Sequence, residues 1–422
     1  MLDLRQHIAA AKQASLAAAT LDTRIKDQAL LAMADAIGAS RAELQAANAE
    51  DLAAAARAGL AAPLRDRLAL TDKVLDAMAD GLRELAAQPD PVGEISELRR
   101  RPNGLLVGRM RIPLGVIAII YESRPNVTVD AAALCLKAGN AAVLRGGSEA
   151  FHSNQALGRL MGDVLERLGL PPSLVTVIPT PERGAIAELL QLDDLIDLVI
   201  PRGGKELIRF VAERSRIPVI RHFEGVCHTY LDATADPSIA APVVVNAKAQ
   251  RPATCNATET LLIHADALDR CLLPVVEALV AAGVELRACE RTRQALRERG
   301  FVSNQVVAAE PSDFGREFLD NILAVKIVAD YAEAVAHIQA HGSSHTEAII
   351  TSDHATAMRF IRDIGSSTVI VNASTRFADG QQLGLGAEIG ISTTKLHAFG
   401  PMGARELTTL KFVVFGEGQT RL

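Results

Sequence analysis

The sequence predicts an α/β protein with two doubly wound domains and a small additional β element, and three observations lead there. Short β-branched runs alternate with helical stretches over most of the chain. The alternation comes in two successive series, one per domain. A turn-centred hairpin pattern precedes the first series, and a lone strand pattern closes the chain.

With 422 residues the chain exceeds the size at which one hydrophobic core keeps growing, so at least two packed units are expected. From residue 2 to residue 88 Ala, Leu, Glu and Arg dominate. In that stretch Ile25, Ala29, Leu30, Met33 and Ile37 recur at helical spacing, which predicts a helical N-terminal layer. The stretch GEISELRRRPNGLLVGRMRIP has two alternating segments around Pro102-Asn103-Gly104, a turn signal that predicts a hairpin with an edge seeking a partner. The first strand series is GVIAII (115–120), NAAVLR (140–145), LVTVIP (174–179) and LIDLVIP (195–201). The second is TETLLIH (258–264), VELRAC (284–289), LAVKIVAD (323–330), TEAIIT (346–351) and STVIVNA (367–373). Both read as parallel sheets wrapped by helices. The closing ELTTLKFVVFGEG reads as a single strand suited to pair with the hairpin of another subunit.

Composition excludes several classes. The chain is 49% hydrophobic and 22% charged, which is ordinary for an ordered globular protein. A net charge of -6, no Trp and 3% aromatic residues argue against nucleic acid, which needs positive charge and stacking surfaces. The N-terminal MLDLRQHIAAAKQASLAAATL carries Asp3, Arg5 and Lys12 and has no continuous apolar core, unlike a secretory signal. The longest apolar runs, such as Ile112 to Tyr121, fall short of the ~18 residues that span a bilayer. A cytoplasmic protein that binds no membrane is expected.

Five cysteines, at 135, 227, 255, 271 and 289, form neither a paired framework nor a CxxC metal pattern. Cys255 lies in NAKAQRPATCNATETLLIH, a loop between a helix and an apolar strand, with Lys248 and Arg251 close in sequence to favour a thiolate. Composition alone leaves it one candidate among five. Cys135, Cys271 and Cys289 read as core. Cys227 adjoins His228, but neighbours on a strand point to opposite faces. Asn126, in YESRPNV after the strand GVIAII, suits an oxyanion donor, and after Pro125 it equally suits a turn. PRGGKELIRFV places Gly203 and Gly204 between a strand and a helix, where a pyrophosphate fits, although the pattern is not GxGxxG. In LRGGSEA, Arg145, Gly146 and Ser148 follow another strand and suit an adenosine 2'-phosphate or a solvated loop. His341, His345 and Glu347 have metal-ligand spacing, but Gly342-Ser343-Ser344 breaks the helix that spacing needs, so no metal is expected.

YESRPNVTVDAAALCLKAGNAAVLRGG, DLVIPRGGKELI, HFEGVCHTYLD, NAKAQRPATCNATETLL, HGSSHTEAI, NASTRFADGQQLGLGAEIGIST and LHAFGPMGARELTTLK stand in one order between residues 110 and 412. Together they resemble the gamma-glutamyl phosphate reductases, a family of the aldehyde dehydrogenase superfamily. The resemblance implies an aldehyde dehydrogenase-like fold. A cofactor-binding domain would take residues 1–95 and 113–233, a catalytic domain residues 234–399, and oligomerisation strands residues 96–112 and 400–422.

It further implies that a thiolate at Cys255 attacks L-glutamyl 5-phosphate, expels phosphate and forms a thioester that NADPH reduces. The product, glutamate 5-semialdehyde of proline biosynthesis, cyclises spontaneously to 1-pyrroline-5-carboxylate. Asn126 and the Cys255 N–H would form the oxyanion hole. Arg145, Gly146, Ser148, Gly203 and Gly204 would bind cofactor, and Lys248 and Arg376 would bind the acyl phosphate. A homo-oligomer and a contact with glutamate 5-kinase are also implied. Aligning the hydrolytic Glu of oxidising relatives with this chain puts His222 at its position; a two-residue shift puts Glu224 there. With His222 there, the thioester survives for reduction. The competing readings are a superfamily enzyme acting on a coenzyme A thioester or a free aldehyde, and a non-catalytic binding protein.

Overall fold

The computed structural model describes residues 3–221 and 224–421, which divide into two compact units. One comprises Met1–Arg221, Gly384–Gly390 and Met402–Leu422, the other His222–Leu383 and Ile391–Pro401.

The first unit opens with helices α1 (Leu4–Ala18), α2 (Thr23–Ala39), α3 (Arg41–Arg57), α4 (Ala62–Leu68) and α5 (Asp72–Ala86). The predicted stripe on α2 is real: Ala29, Leu30, Met33 and Ile37 are fully buried. The hairpin follows as β1 (Ile95–Arg100) and β2 (Leu106–Pro113), and Gly104 in its turn takes φ +88°, a conformation that favours glycine. Next come β3 (Val116–Tyr121), α6 (Asn126–Lys137), β4 (Ala141–Arg145), α7 (Phe151–Arg167), β5 (Val175–Val177), α8 (Gly184–Leu189), β6 (Leu198–Arg202) and α9 (Lys205–Arg214). The strands pair in parallel in the order β5-β4-β3-β6. Every residue of central β3 is buried, which is why that strand reads as an unbroken apolar run.

The second unit contains β7 (Cys227–Leu231), α10 (Pro237–Ala249), β8 (Thr258–His264), α11 (Leu273–Ala281), β9 (Glu285–Ala288), α12 (Glu290–Glu298) and β10 (Val306–Ala308). It continues with β11 (Ile322–Val328), α13 (Tyr331–His341), β12 (Thr346–Ile350), α14 (His354–Asp363) and β13 (Thr368–Val371). Its parallel sheet has the order β10-β9-β11-β8-β7-β12-β13. Side chains alternate between two cores. Leu261 and Ile263 pack with Val244 of α10 and Val275 of α11, while Leu262 packs with Ile338 of α13 and Phe360 of α14. β10, of only three residues, is absent from the two predicted strand series, and β7, placed on a strand only at Cys227 and His228, carries polar His228 and Thr229, both fully buried.

The chain ends with a short ladder, β14 (Ile391–Ser392) with β15 (Gly400–Pro401), and then β16 (Thr408–Phe415). β16 pairs antiparallel with β2, from Thr408 opposite Pro113 to Phe415 opposite Leu106. This corrects the expectation that it closes on another subunit's hairpin, because all eight of its residues find partners in the same chain.

Candidate active site

Cys255 sits half-buried in the loop between α10 and β8, and its backbone is held from the β7 side. A β-carbon on Gly225 would overlap the Cys255 carbonyl and Cα, so only glycine allows the two backbones to touch. Two residues on, the Cys227 thiol donates to the Cys255 carbonyl oxygen at 3.2 Å. The Gly225 N–H donates to Glu317 Oε1 at 3.0 Å, and the Val226 N–H to Ser343 Oγ at 2.9 Å, fixing that segment.

On its other side the loop is stitched to the turn Thr375–Phe377 that follows β13. Asn256 Nδ2 donates to the Ala378 carbonyl at 2.9 Å, and the hydroxyls of Thr258 and Thr375 lie 3.1 Å apart. Arg376 on that turn donates from Nε to Gln250 Oε1 at 2.9 Å and from Nη1 to Thr254 Oγ1 at 3.0 Å, the residue next to the cysteine. Burial lowers the Arg376 pKa, Asp379 raises it, Arg251 lowers it and Cys255 raises it. Two guanidinium groups and the thiol therefore share one electrostatic neighbourhood.

Lys248 stands elsewhere than expected. Its Nζ donates to Glu259 Oε2 at 2.6 Å with both side chains closed to solvent. A buried carboxylate thus holds one of the three donors of this ammonium, away from solvent. Burial pushes Lys248 down and Glu259 up to about 7, and their mutual attraction opposes both shifts.

In the first unit the strand ends carry the residues assigned to cofactor. Asn126 begins α6, and its Nδ2 donates to Asp130 Oδ2 at 3.1 Å. Burial raises Asp130 to about 6, against the lowering effects of the Asn126 hydrogen bond and of Arg202. Arg145 is buried, and its Nη2 donates to the carbonyls of Pro181 at 2.8 Å and Glu182 at 3.3 Å. Part of the fork expected at a 2'-phosphate thus holds the 181–182 loop. Its Nε is buried without a hydrogen-bond partner, and exposed Arg183 acts on it electrostatically. Gly146 has no room for a β-carbon because Asn154 and Tyr121 press against it, so packing alone demands glycine there. Ser148 is exposed at the start of a single 3-10 turn. Gly203 and Gly204 do lead from β6 into α9, but the Gly204 N–H donates to Glu122 Oε2 at 2.8 Å. A carboxylate occupies the helix end where a pyrophosphate was expected, as the helix dipole favours.

Sequence reasoning missed Gly225, Glu122, Glu259 and the buried pair Cys227–His345, in which Sγ lies 3.6 Å from Nδ1. Cys289, expected in the core, is half-buried instead, in front of α12, and its thiol lies 3.2 Å from Thr292 Oγ1. His341 ends α13, while His345 and Glu347 lie on the approach to β12 and within it; Glu347 Oε2 accepts from the His228 N–H at 2.8 Å. His222, placed by alignment at the hydrolytic position, lies outside the described residues. No helix among the described residues is long and apolar enough to cross a membrane.

Comparison with known proteins places the chain in a family. The sequence profile of the aldehyde dehydrogenase family matches residues 2–299. The gamma-glutamyl phosphate reductase of Geotalea daltonii is 56% identical over 418 residues, covering 99% of this chain and 98% of that protein. The crystal structure of the gamma-glutamyl phosphate reductase of Thermotoga maritima superposes with a TM-score of 0.95 at 42% identity, covering 100% of both chains. An engineered glycolyl-CoA reductase with bound NADP+ shares the fold, with a TM-score of 0.68 at 18% identity over 98% of this chain and 96% of that one. The chain belongs to the aldehyde dehydrogenase family and, within it, to the gamma-glutamyl phosphate reductases.

Proposed function

We propose that this chain reduces L-glutamyl 5-phosphate to L-glutamate 5-semialdehyde and phosphate, with NADPH, in proline biosynthesis. The observation that carries the reading is the setting of Cys255, a half-buried thiol on a backbone clamped by Gly225, with Arg376 and Arg251 in its electrostatic field. Neighbouring positive charge favours a thiolate, and guanidinium forks match the carboxylate and phosphate of the substrate.

In this reading the Cys255 thiolate attacks the acyl carbon and the bond to the phosphate oxygen breaks. The Cys255 N–H and the Asn126 amide donate to the transient oxyanion. NADPH, when bound, supplies the hydride that reduces the thioester. Collapse of the thiohemiacetal then restores the thiolate and releases the aldehyde, which cyclises spontaneously. With Lys248 withdrawn into its pair with Glu259, Arg376 takes the substrate role, assisted by Arg251.

Members of the aldehyde dehydrogenase family use nicotinamide cofactors. NADPH is our choice within that class, because Arg145 keeps a buried Nε in need of an acceptor, with Arg183 and Ser148 exposed nearby in the same strand-end region. Gly203 and Gly204 receive the pyrophosphate as Glu122 withdraws from the Gly204 N–H. We also assign the protein to the cytoplasm, as a homo-oligomer that takes its labile substrate from glutamate 5-kinase. Exposed Phe412 and Val414 on β16 give such an oligomer an apolar surface.

The test is NADPH oxidation with an acyl phosphate, an acyl-CoA thioester and, in reverse with NADP+, a free aldehyde with and without phosphate. Turnover with the acyl phosphate and a phosphate requirement in reverse are expected; preference for the CoA thioester contradicts the proposal.

A further inference from the structure

We infer that Cys227 is a resolving thiol for Cys255, which captures the nucleophile as a reversible intrachain disulfide when a peroxide oxidises it. The inference rests on the reading above only in that Cys255 is a reactive thiolate.

The geometry is specific to this pair. The Cys227 Sγ approaches the Cys255 carbonyl to 3.2 Å across 28 residues of sequence. At Gly225 the two backbones touch with no side chain between them. A disulfide needs Cα atoms ~4.4–6.8 Å apart, and the thiol-to-carbonyl contact places the Cys227 side chain against the Cys255 residue itself. Cys271 and Cys289 are turned elsewhere, toward the Ala235 carbonyl at 3.5 Å and the Thr292 hydroxyl at 3.2 Å.

The two thiols differ as a sensor and its resolver must. Cys255 is half-buried and open to a small oxidant, while Cys227 is fully buried. Burial, Glu347 and Cys255 itself push Cys227 well up, so it rests as the inert thiol. His345 Nδ1 lies 3.6 Å from the Cys227 Sγ and 2.8 Å from the Thr346 hydroxyl.

The Cys255 thiolate attacks one peroxide oxygen, the O–O bond breaks, and the departing hydroxide takes a proton from solvent to leave as water. Sulfur is oxidised by two electrons to sulfenic acid, and the peroxide is reduced. Cys227 sulfur then attacks the Cys255 sulfur; the S–O bond breaks, and the Cys227 proton leaves with that oxygen as a second water. A dithiol returns both residues to thiols.

The experiment treats the full-length protein with several molar equivalents of hydrogen peroxide, enough to carry an unresolved thiol to sulfinic acid, blocks remaining thiols and maps peptides by mass spectrometry without reduction. The expected result is a Cys227–Cys255 linked peptide from the wild type and recovery of activity with dithiothreitol. Cys227→Ser should instead accumulate sulfinic acid at Cys255 and recover little of its own starting activity. Absence of the linked peptide while Cys255 over-oxidises in the wild type overturns the inference, whatever the variant does. A Cys255→Ser protein that still turns over before any oxidation sinks the functional reading instead, so the two failures are distinguishable.

Discussion

Lys248 Nζ lies 2.6 Å from Glu259 Oε2, and this fully buried ion pair joins the end of α10 to the start of β8, bracketing the loop that carries Cys255. Removing one member leaves the other charge buried alone, which costs ~3–5 kcal/mol in comparable pairs. Lys248→Met should therefore lose stability of that order in urea denaturation. The double variant Lys248→Met, Glu259→Leu should regain most of it. A double variant that regains stability but shows a substrate KM raised by orders of magnitude would return Lys248 to the substrate.

Gly225→Ala inserts a β-carbon where the Cys255 carbonyl and Cα already stand. Backbone cannot yield as a flexible side chain can, so overpacking of ~1–3 kcal/mol is expected, with the nucleophile displaced. The measurement is the second-order rate of iodoacetamide labelling at Cys255, which should fall together with kcat while the fold persists by circular dichroism.

Arg376 holds Gln250 and Thr254 and shares its field with Cys255. In the proposed substrate role, losing its charge-assisted contact would remove ~1.5–3 kcal/mol, or about 10- to 150-fold in kcat/KM. Arg376→Ala should show that loss mostly as a raised KM. Arg376→Lys should recover only part of it, because an ammonium cannot reproduce the planar fork.

Asp130 carries a pH dependence of stability. Burial raises its pKa from 3.8 to about 6, so between these values the folded protein keeps a proton that the unfolded chain has released. Its contribution to stability therefore falls as pH rises through that window and is level above it, with an upper bound of ~3 kcal/mol. Denaturation midpoints measured from pH 4 to pH 7 should show this slope in the wild type relative to Asp130→Asn; identical profiles for the two proteins would contradict it.

Much of this was legible in the sequence, for identifiable reasons. Strands covered on both faces, such as β3 and β8, must be apolar throughout and so announce themselves. β7 announced itself only at Cys227–His228, because its polar side chains meet distant partners: His228 Nδ1 lies 3.0 Å from Glu347 Oε2, and the hydroxyls of Thr229 and Thr258 lie 2.8 Å apart. The pairing of Lys248 was hidden for a related reason. A cation near a nucleophile looks the same in sequence whether it meets substrate or a buried carboxylate on the next strand. Glu122 is a case of long range, since its bond to the Gly204 N–H spans 82 positions. Gly225 lay within a recognised segment, but its necessity arises only once β7 is laid against the Cys255 loop. Periodicity and turn signals report local structure; these contacts belong to the tertiary fold.

The sulfur of Cys255 is the proposed nucleophile. Replacing it with oxygen in Cys255→Ser changes nucleophilicity far more than shape. The decisive measurement is phosphate-dependent reduction of NADP+ by glutamate 5-semialdehyde, with NADPH affinity determined separately on the same protein. Loss of turnover with cofactor affinity near the wild-type value is the predicted result, and substantial phosphate-dependent turnover by the serine variant would contradict the mechanism.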